Sequence, residues 1–170
     1  MFRRIVLASA LAAAIFFAAP ARAATATSNF VVTGNVIANC TISTTGITFS
    51  YDPVVANATT NATASGTVTL ACTKGSAPSI GLSAGANSAA AAGLTPAAPR
   101  AMKLGATTNF LGYDIYWPGT TTSWTTANPF VPAAPTSKAA RTFNMDGVVF
   151  GGQDAAVGTY VDTVTATVNF

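Results

Sequence analysis

Tyr160-Val-Asp-Thr-Val-Thr-Ala-Thr-Val-Asn-Phe170 is the stretch that decides the fold. Tyr160, Val164, Ala166, Val168 and Phe170 fall on one face; Val161, Thr163, Thr165, Thr167 and Asn169 fall on the other. A period of two, carried by β-branched residues, is the pattern of a half-buried strand. The stretch ends on an aromatic residue with no polar tail, so the expectation is a chain that stops inside a strand and is held there by something else, because untethered termini fray.

The rest of the chain divides into similar short extended runs. Phe30-Val-Val-Thr-Gly-Asn-Val-Ile-Ala38 is β-branched, and Ile42–Tyr51 continues it with Ile47 and Phe49 on one face. Gly66-Thr-Val-Thr-Leu-Ala-Cys72 alternates, with Val68, Leu70 and Cys72 together on its buried side. Ser79–Ser83, Ala101–Leu104, Leu111–Trp117 and Thr142–Phe150 read as further strands. Asn57–Ser65 reads as a polar loop and Ala84–Pro99 as a low-complexity Ala/Gly/Pro loop. Turns are expected at Trp117-Pro-Gly119, at Asn128-Pro129 and through the prolines at 129, 132 and 135. With no helical period beyond the first segment, one all-β domain of sandwich type follows.

Met1-Phe-Arg-Arg4 followed by an apolar run from Ile5 to Ala19 and by Ala21-Arg22-Ala23 has the form of a cleaved signal peptide over residues 1–23. The run is shorter than the roughly 20 residues a membrane span needs. Removing 23 residues from 170 leaves 147, enough for one domain with a core. It also removes Arg3, Arg4 and Arg22, the whole of the +3 net charge. Five cations (Lys74, Arg100, Lys103, Lys138, Arg141) then face five aspartates (Asp52, Asp114, Asp146, Asp154, Asp162). A neutral, charge-poor chain offers no basic patch for nucleic acid and favours association over repulsion. Cys40 and Cys72, in an exported chain, are read as a structural disulfide. A thiolate metal site would need further ligands, and the sequence contains no histidine.

Candidate chemistry is sparse. With neither His nor Glu, the usual general bases are missing, and no two aspartates form an acid/base pair in sequence. Asp52 before Pro53, Asp146 before Gly147 and Asp154 near Gly152 read as turn residues. Asn57-Ala-Thr59 and Asn61-Ala-Thr63 match the glycosylation pattern within a loop where such triplets arise easily. Gly151-Gly152 is no phosphate loop, since no Lys follows. Tyr116, Trp117 and Trp124 read as core before they read as a sugar platform. These observations point away from an enzyme, and no metal or other cofactor is expected.

Four groups of residues, in order, resemble the spore coat protein U domain, the pilin family of the archaic chaperone–usher pathway. They are Phe30-x-Val32-x-Gly34-x-Val36 leading to Cys40; Cys72; Arg100-x-Met102 with Leu111-x-Tyr113-x-Ile115-Tyr116 and Trp124; and Val149-Phe150-Gly151-Gly152-Gln153 with Gly158-Thr159-Tyr160-x-Asp162-Thr163-Val164. The Ala84–Pro99 loop and Gly152 depart from the family pattern. The resemblance implies an incomplete immunoglobulin-like β-sandwich that lacks its last strand and is completed by a donor strand. It divides the chain into a signal peptide (1–23), a donor-strand extension (24–38) and a pilin domain (39–170). The donor face would be Phe30, Val32, Gly34 and Val36, with Gly34 where backbone passes close to a wall. The acceptor groove and chaperone contact would be Tyr160, Val164, Ala166, Val168 and Phe170. A periplasmic pilus chaperone would lend the strand first, its basic residues holding the Phe170 carboxylate. At the outer-membrane usher another pilin subunit would replace it. The implied function is a structural subunit of a secreted surface pilus or fimbria, serving adhesion and biofilm formation. The alternatives are a coat protein that assembles without an usher, and a tip adhesin or glycan-binding module using loops such as Thr120–Phe130.

Overall fold

Alternation sets the first layer. In β2 (Ala62–Cys72) Val68, Leu70 and Cys72 are almost fully buried, while Thr63 and Ser65 face outward. β2 lies between β1 (Cys40–Thr45) and β6 (Arg141–Val149), and the sheet continues through β5 (Phe110–Tyr116), β4 (Arg100–Leu104) and β7 (Tyr160–Val161), every neighbour antiparallel. A second, two-stranded sheet pairs β3 (Ser79–Leu82) with β8 (Ala166–Asn169). The inward faces of the two sheets share one core that includes Val68, Leu70, Ile80, Leu82, Leu111, Ile115, Trp124 and Val149. These coordinates are a computed structural model that describes residues 22–170, and residues 36–170 hold all of its strands. Of the expected signal segment, residues 1–21 lie outside the described residues.

Several expectations need correction. Tyr160–Phe170 is not one strand: Tyr160 and Val161 pair with Leu104 and Lys103 in the large sheet, and Ala166–Asn169 pair with β3 in the small one. The chain changes sheets across residues 162–165 without breaking its alternation. The run Ile42–Tyr51 is a paired strand only to Thr45. Asn57–Ser65 is a loop only to Asn61, because Ala62–Ser65 pair with Asp146–Val149. Ala84–Pro99 contains one helical turn, α1 (Ser88–Ala91), whose Ala91 is 2% exposed. Alanine is the strongest helix former, and four residues are too few to be helical alone, so packing on β4 and β5 completes the case. Asp146 is in β6 rather than a turn, and its carboxylate accepts the Gly119 N–H at 2.6 Å. Asp52 is a turn residue, as expected. It accepts from Val54 and Val55 N–H groups, which hold its carboxyl below the usual range.

Three devices hold the strands together, and one of them joins the two sheets. Cys40 and Cys72 are directly opposite in the β1–β2 ladder and form a disulfide. Closing a loop of 32 residues contributes roughly 3–4 kcal/mol in the chain-entropy account. Arg100, 1% exposed, donates to Ser83 O at 3.1 Å, to Asp114 Oδ1 at 2.7 Å and to Trp124 O, so one guanidinium ties β4 and β5 to the end of β3. Asp114 also accepts from Ser123 Oγ and the Ile115 N–H. Gln153 acts as a substitute peptide: its amide accepts from Gly112 N at 2.6 Å and donates to Gly112 O at 2.9 Å and Phe150 O at 2.8 Å, which gives β5 partners just past the end of β6.

Beyond Thr45 the chain stays extended but loses its ladder, and Ile47 and Phe49 still pack on the core. Gly66 makes room for this. A Cβ there would lie 2.8 Å from both Ile47 Cγ1 and Thr45 O, and 2.9 Å from Gly46 O.

Two stability predictions follow from these contacts. Arg100→Met leaves Asp114 buried without its cation and is expected to cost about 3–5 kcal/mol in urea unfolding; a loss under about 1 kcal/mol would show that the pair does not hold the sheets. Gly66→Ala should cost about 1–3 kcal/mol, because the obstructing atoms include backbone. It should exceed Gly147→Ala, whose added Cβ first meets the tip of the Phe49 ring; equal losses would contradict the wall's rigidity.

Candidate strand-acceptor groove

The two sheets do not close on each other everywhere. Between the unladdered stretch after β1 and the chain from Ala155 to Ala166 runs a groove of about 910 Å³. Its first wall carries Ile47 and Phe49, its floor includes Met102, Leu111 and Tyr113, and its second wall carries Tyr160, Val164 and Ala166. Phe49 packs on the Tyr113 ring with centroids 6.4 Å apart.

The backbone beside this groove is unsatisfied in a regular way. Ile80 exchanges both hydrogen bonds with Phe130, each at 2.9 Å, so its backbone polar groups point away from β8. Ser83 N–H donates to Thr165 O at 2.9 Å, and Thr165 N–H donates to Ser83 Oγ at 2.9 Å. Antiparallel ladders alternate, so Thr165, Thr167 and Asn169 face β3 while Ala166 and Val168 direct N–H and C=O to the other edge. No strand among the described residues pairs with that edge or with Gly46–Ser50. Beside Ala166 the groove leaves an edge with no partner strand, lined by apolar side chains, while farther along β8 the chain runs close to β1.

The acceptor residues expected from sequence divide into three groups. Tyr160, Val164 and Ala166 line the groove; Val168 is half-buried against the core; Phe170 is 53% exposed. On the donor side Phe30, Val32 and Val36 are 84%, 82% and 83% exposed, and a Cβ on Gly34 would meet nothing within 4 Å. The stretch 24–38 carries no helix or strand. The opposite wall and the floor were not assigned to the site by sequence. The alternation that puts Ile47 and Phe49 on one face was the available signal.

Other candidates resolve into structure. Asn57 is 7% exposed, with its side chain between Asp52 N–H and Thr60 O, and Asn61 Oδ1 accepts the Gly151 N–H, so both acceptor-pattern asparagines already have backbone partners. Trp124 is fully buried and donates to Ile80 O at 2.6 Å. Trp117 packs edge-on against Phe130, which packs in turn on Phe143. Among the described residues no three His, Cys, Asp or Glu gather as a metal site would require.

Comparison with known proteins agrees with this architecture. Protein U of Myxococcus xanthus is 37% identical over 181 aligned positions, covering 97% of this chain and 96% of the relative. Among solved structures, a chain of the chaperone–tip adhesion subunit pre-assembly complex from archaic chaperone-usher Csu pili of Acinetobacter baumannii superposes with a TM-score of 0.56 at 22% identity. The match covers 79% of this chain and 40% of that one, so the likeness is one of fold over less than half of the neighbour. The Spore Coat Protein U domain family matches residues 26–167, and the chain belongs to that family.

Proposed function

We propose that this chain is a structural subunit of a secreted surface fibre, a pilus or fimbria built by strand donation between copies. The observation that carries the reading is the empty strand position: an apolar groove beside a β8 edge whose N–H and C=O groups have no partner strand. The occupant is the extension Ala24–Ala38 of another copy, with Phe30, Val32, Gly34 and Val36 turned into the groove. Alternating pockets then set the register, and main-chain bonds supply affinity. Three apolar side chains contribute roughly 1.5–3 kcal/mol each on burial, and the hydrogen-bond ladder adds to them.

An open edge beside an apolar groove is also an aggregation hazard. A periplasmic chaperone that lends its own strand removes the hazard during transit, and an outer-membrane usher is where the exchange occurs. Export through the signal peptide at residues 1–23, a final location on the cell surface, and roles in adhesion and biofilm formation belong to the same reading. So does a catalytically inert subunit. A second reading, a coat protein assembled without an usher, uses the same groove and strand. The Spore Coat Protein U family match supports the coat part of this reading.

Co-expression with and without the cognate chaperone, followed by mild heating in SDS, separates the outcomes. Strand donation predicts laddered oligomers that survive heating and a chain that aggregates when the chaperone is absent. A stable, soluble monomer without a chaperone would contradict it, and ladders formed without an usher would select the coat reading. Phe30→Asp with Val32→Asp should abolish the ladder and leave the unfolding midpoint of the domain unchanged; normal fibres from that variant would overturn the assignment of the donor face.

A further inference from the structure

The groove lining contains one charged residue, Asp162. It sits where the chain leaves the large sheet after Val161 and before it joins the small sheet at Thr165. Its carboxylate accepts three hydrogen bonds from two different elements. Tyr113 OH, rising from β5 in the floor, donates to Oδ2 at 2.7 Å. The loop after β3 donates twice to Oδ1, from Ala86 N at 2.8 Å and from Asn87 Nδ2 at 3.1 Å. That loop fits closely around the carboxylate. Gly85 has φ +85°, and a Cβ on it would lie 2.0 Å from Asp162 Oδ2. Tyr113 is 4% exposed, and burial followed by the bond to Asp162 pushes its hydroxyl above its ordinary value, so it keeps the proton it donates.

These contacts matter because the groove is apolar and empty. Its walls lose water-exposed area if they move together, so the hydrophobic effect acts to close it. An acceptor whose groove is open only part of the time takes up a strand more weakly in proportion to the open fraction. The Asp162 carboxylate joins the crossover, the floor strand β5 and the loop after β3 at one point, which fixes how far the second wall can move. Hydrogen bonds to a charged acceptor are among the stronger ones available for this.

We propose that Asp162 is a positioning residue that holds the strand-acceptor groove open, with Tyr113 as its latch on the floor. The proposal rests on the strand-donation reading. It predicts an asymmetry: the latch serves a subunit as acceptor only, because neither Asp162 nor Tyr113 belongs to the donating stretch 24–38.

The test uses as the acceptor the exported chain carrying Phe30→Asp and Val32→Asp, so that it cannot donate, purified together with its cognate chaperone. A fluorescently labelled peptide of residues 24–38 is the probe, and uptake is followed by anisotropy. Adding Tyr113→Phe, which removes only the hydroxyl, should slow uptake about tenfold, the size expected for one hydrogen bond to a charged group. In a chain with Phe30 and Val32 intact, Tyr113→Phe should leave donation into unmodified grooves unchanged. Asp162→Asn, which keeps an amide within reach of Tyr113, should give an intermediate loss. Equal uptake with and without the Tyr113 hydroxyl overturns the latch. Parallel loss of donation and acceptance overturns it too, since that is what general destabilisation produces. If the Phe30→Asp, Val32→Asp acceptor with Tyr113 intact takes up no peptide at all, the strand-donation reading itself fails, and the latch fails with it.

Discussion

Backbone groups that leave water need partners, and this fold leaves one row of them without any. Ala166 and Val168 in β8 point their N–H and C=O groups at a position where an immunoglobulin-like sandwich would place another strand. The stretch Gly46–Ser50 runs along the far side of the same position, extended and unladdered. In a closed sandwich these groups would be paired and the side chains beside them would form core. Here Ile47, Phe49, Val164 and Ala166 remain only half-buried. The rest of the molecule is arranged so that this vacancy does not unravel it.

That arrangement depends on polar side chains in places where apolar ones would fill space as well. Arg100 satisfies carbonyls at the end of β3 and at Trp124 while neutralising Asp114. Gln153 completes β5 where β6 stops, and Asp162 joins the crossover to the floor. Well-packed hydrophobic residues can match a buried ion pair in stability, so stability alone does not explain the choice. Directional bonds fix the separation of two layers, whereas apolar packing only draws them together. Under the proposed strand donation, a groove that must stay open needs the former.

Much of this was legible in the residues. Val68, Leu70 and Cys72 were placed on the buried side of their strand by alternation alone, and the strand ends near Ser79, Arg100, Phe110 and Arg141 were found within a residue or two. The division of Tyr160–Phe170 between two sheets was not. Period two reports that a chain is extended and which face is wet, and both remain true through the crossover. The hint was Asp162, the only polar side chain on the even-numbered face between Tyr160 and Phe170. Long-range partners were equally hidden. Nothing in the sequence near Gly66 announces that Thr45 O will pass 2.8 Å from its missing Cβ, or near Gln153 that its amide will stand in for a strand. The second groove wall was missed for a related reason: Ile47 and Phe49 look like core, and they differ from core only in the absence of a neighbour.

Under the proposed assembly the donating stretch and the accepting groove are different surfaces of one chain, so each contact between copies is head-to-tail rather than self-complementary. Such contacts close into a ring only if their rotation happens to do so, and otherwise they propagate as a fibre. The composition suits propagation. If residues 1–23 are cleaved as proposed, the five cations and five aspartates cancel, and little net charge opposes end-to-end growth. The same neutrality leaves the open edge poorly protected, because charged side chains are a common means of blunting one. Under the proposed assembly, a subunit with this sequence is therefore suited to a filled groove and poorly suited to an empty one, and that difference in free energy favours taking up a strand.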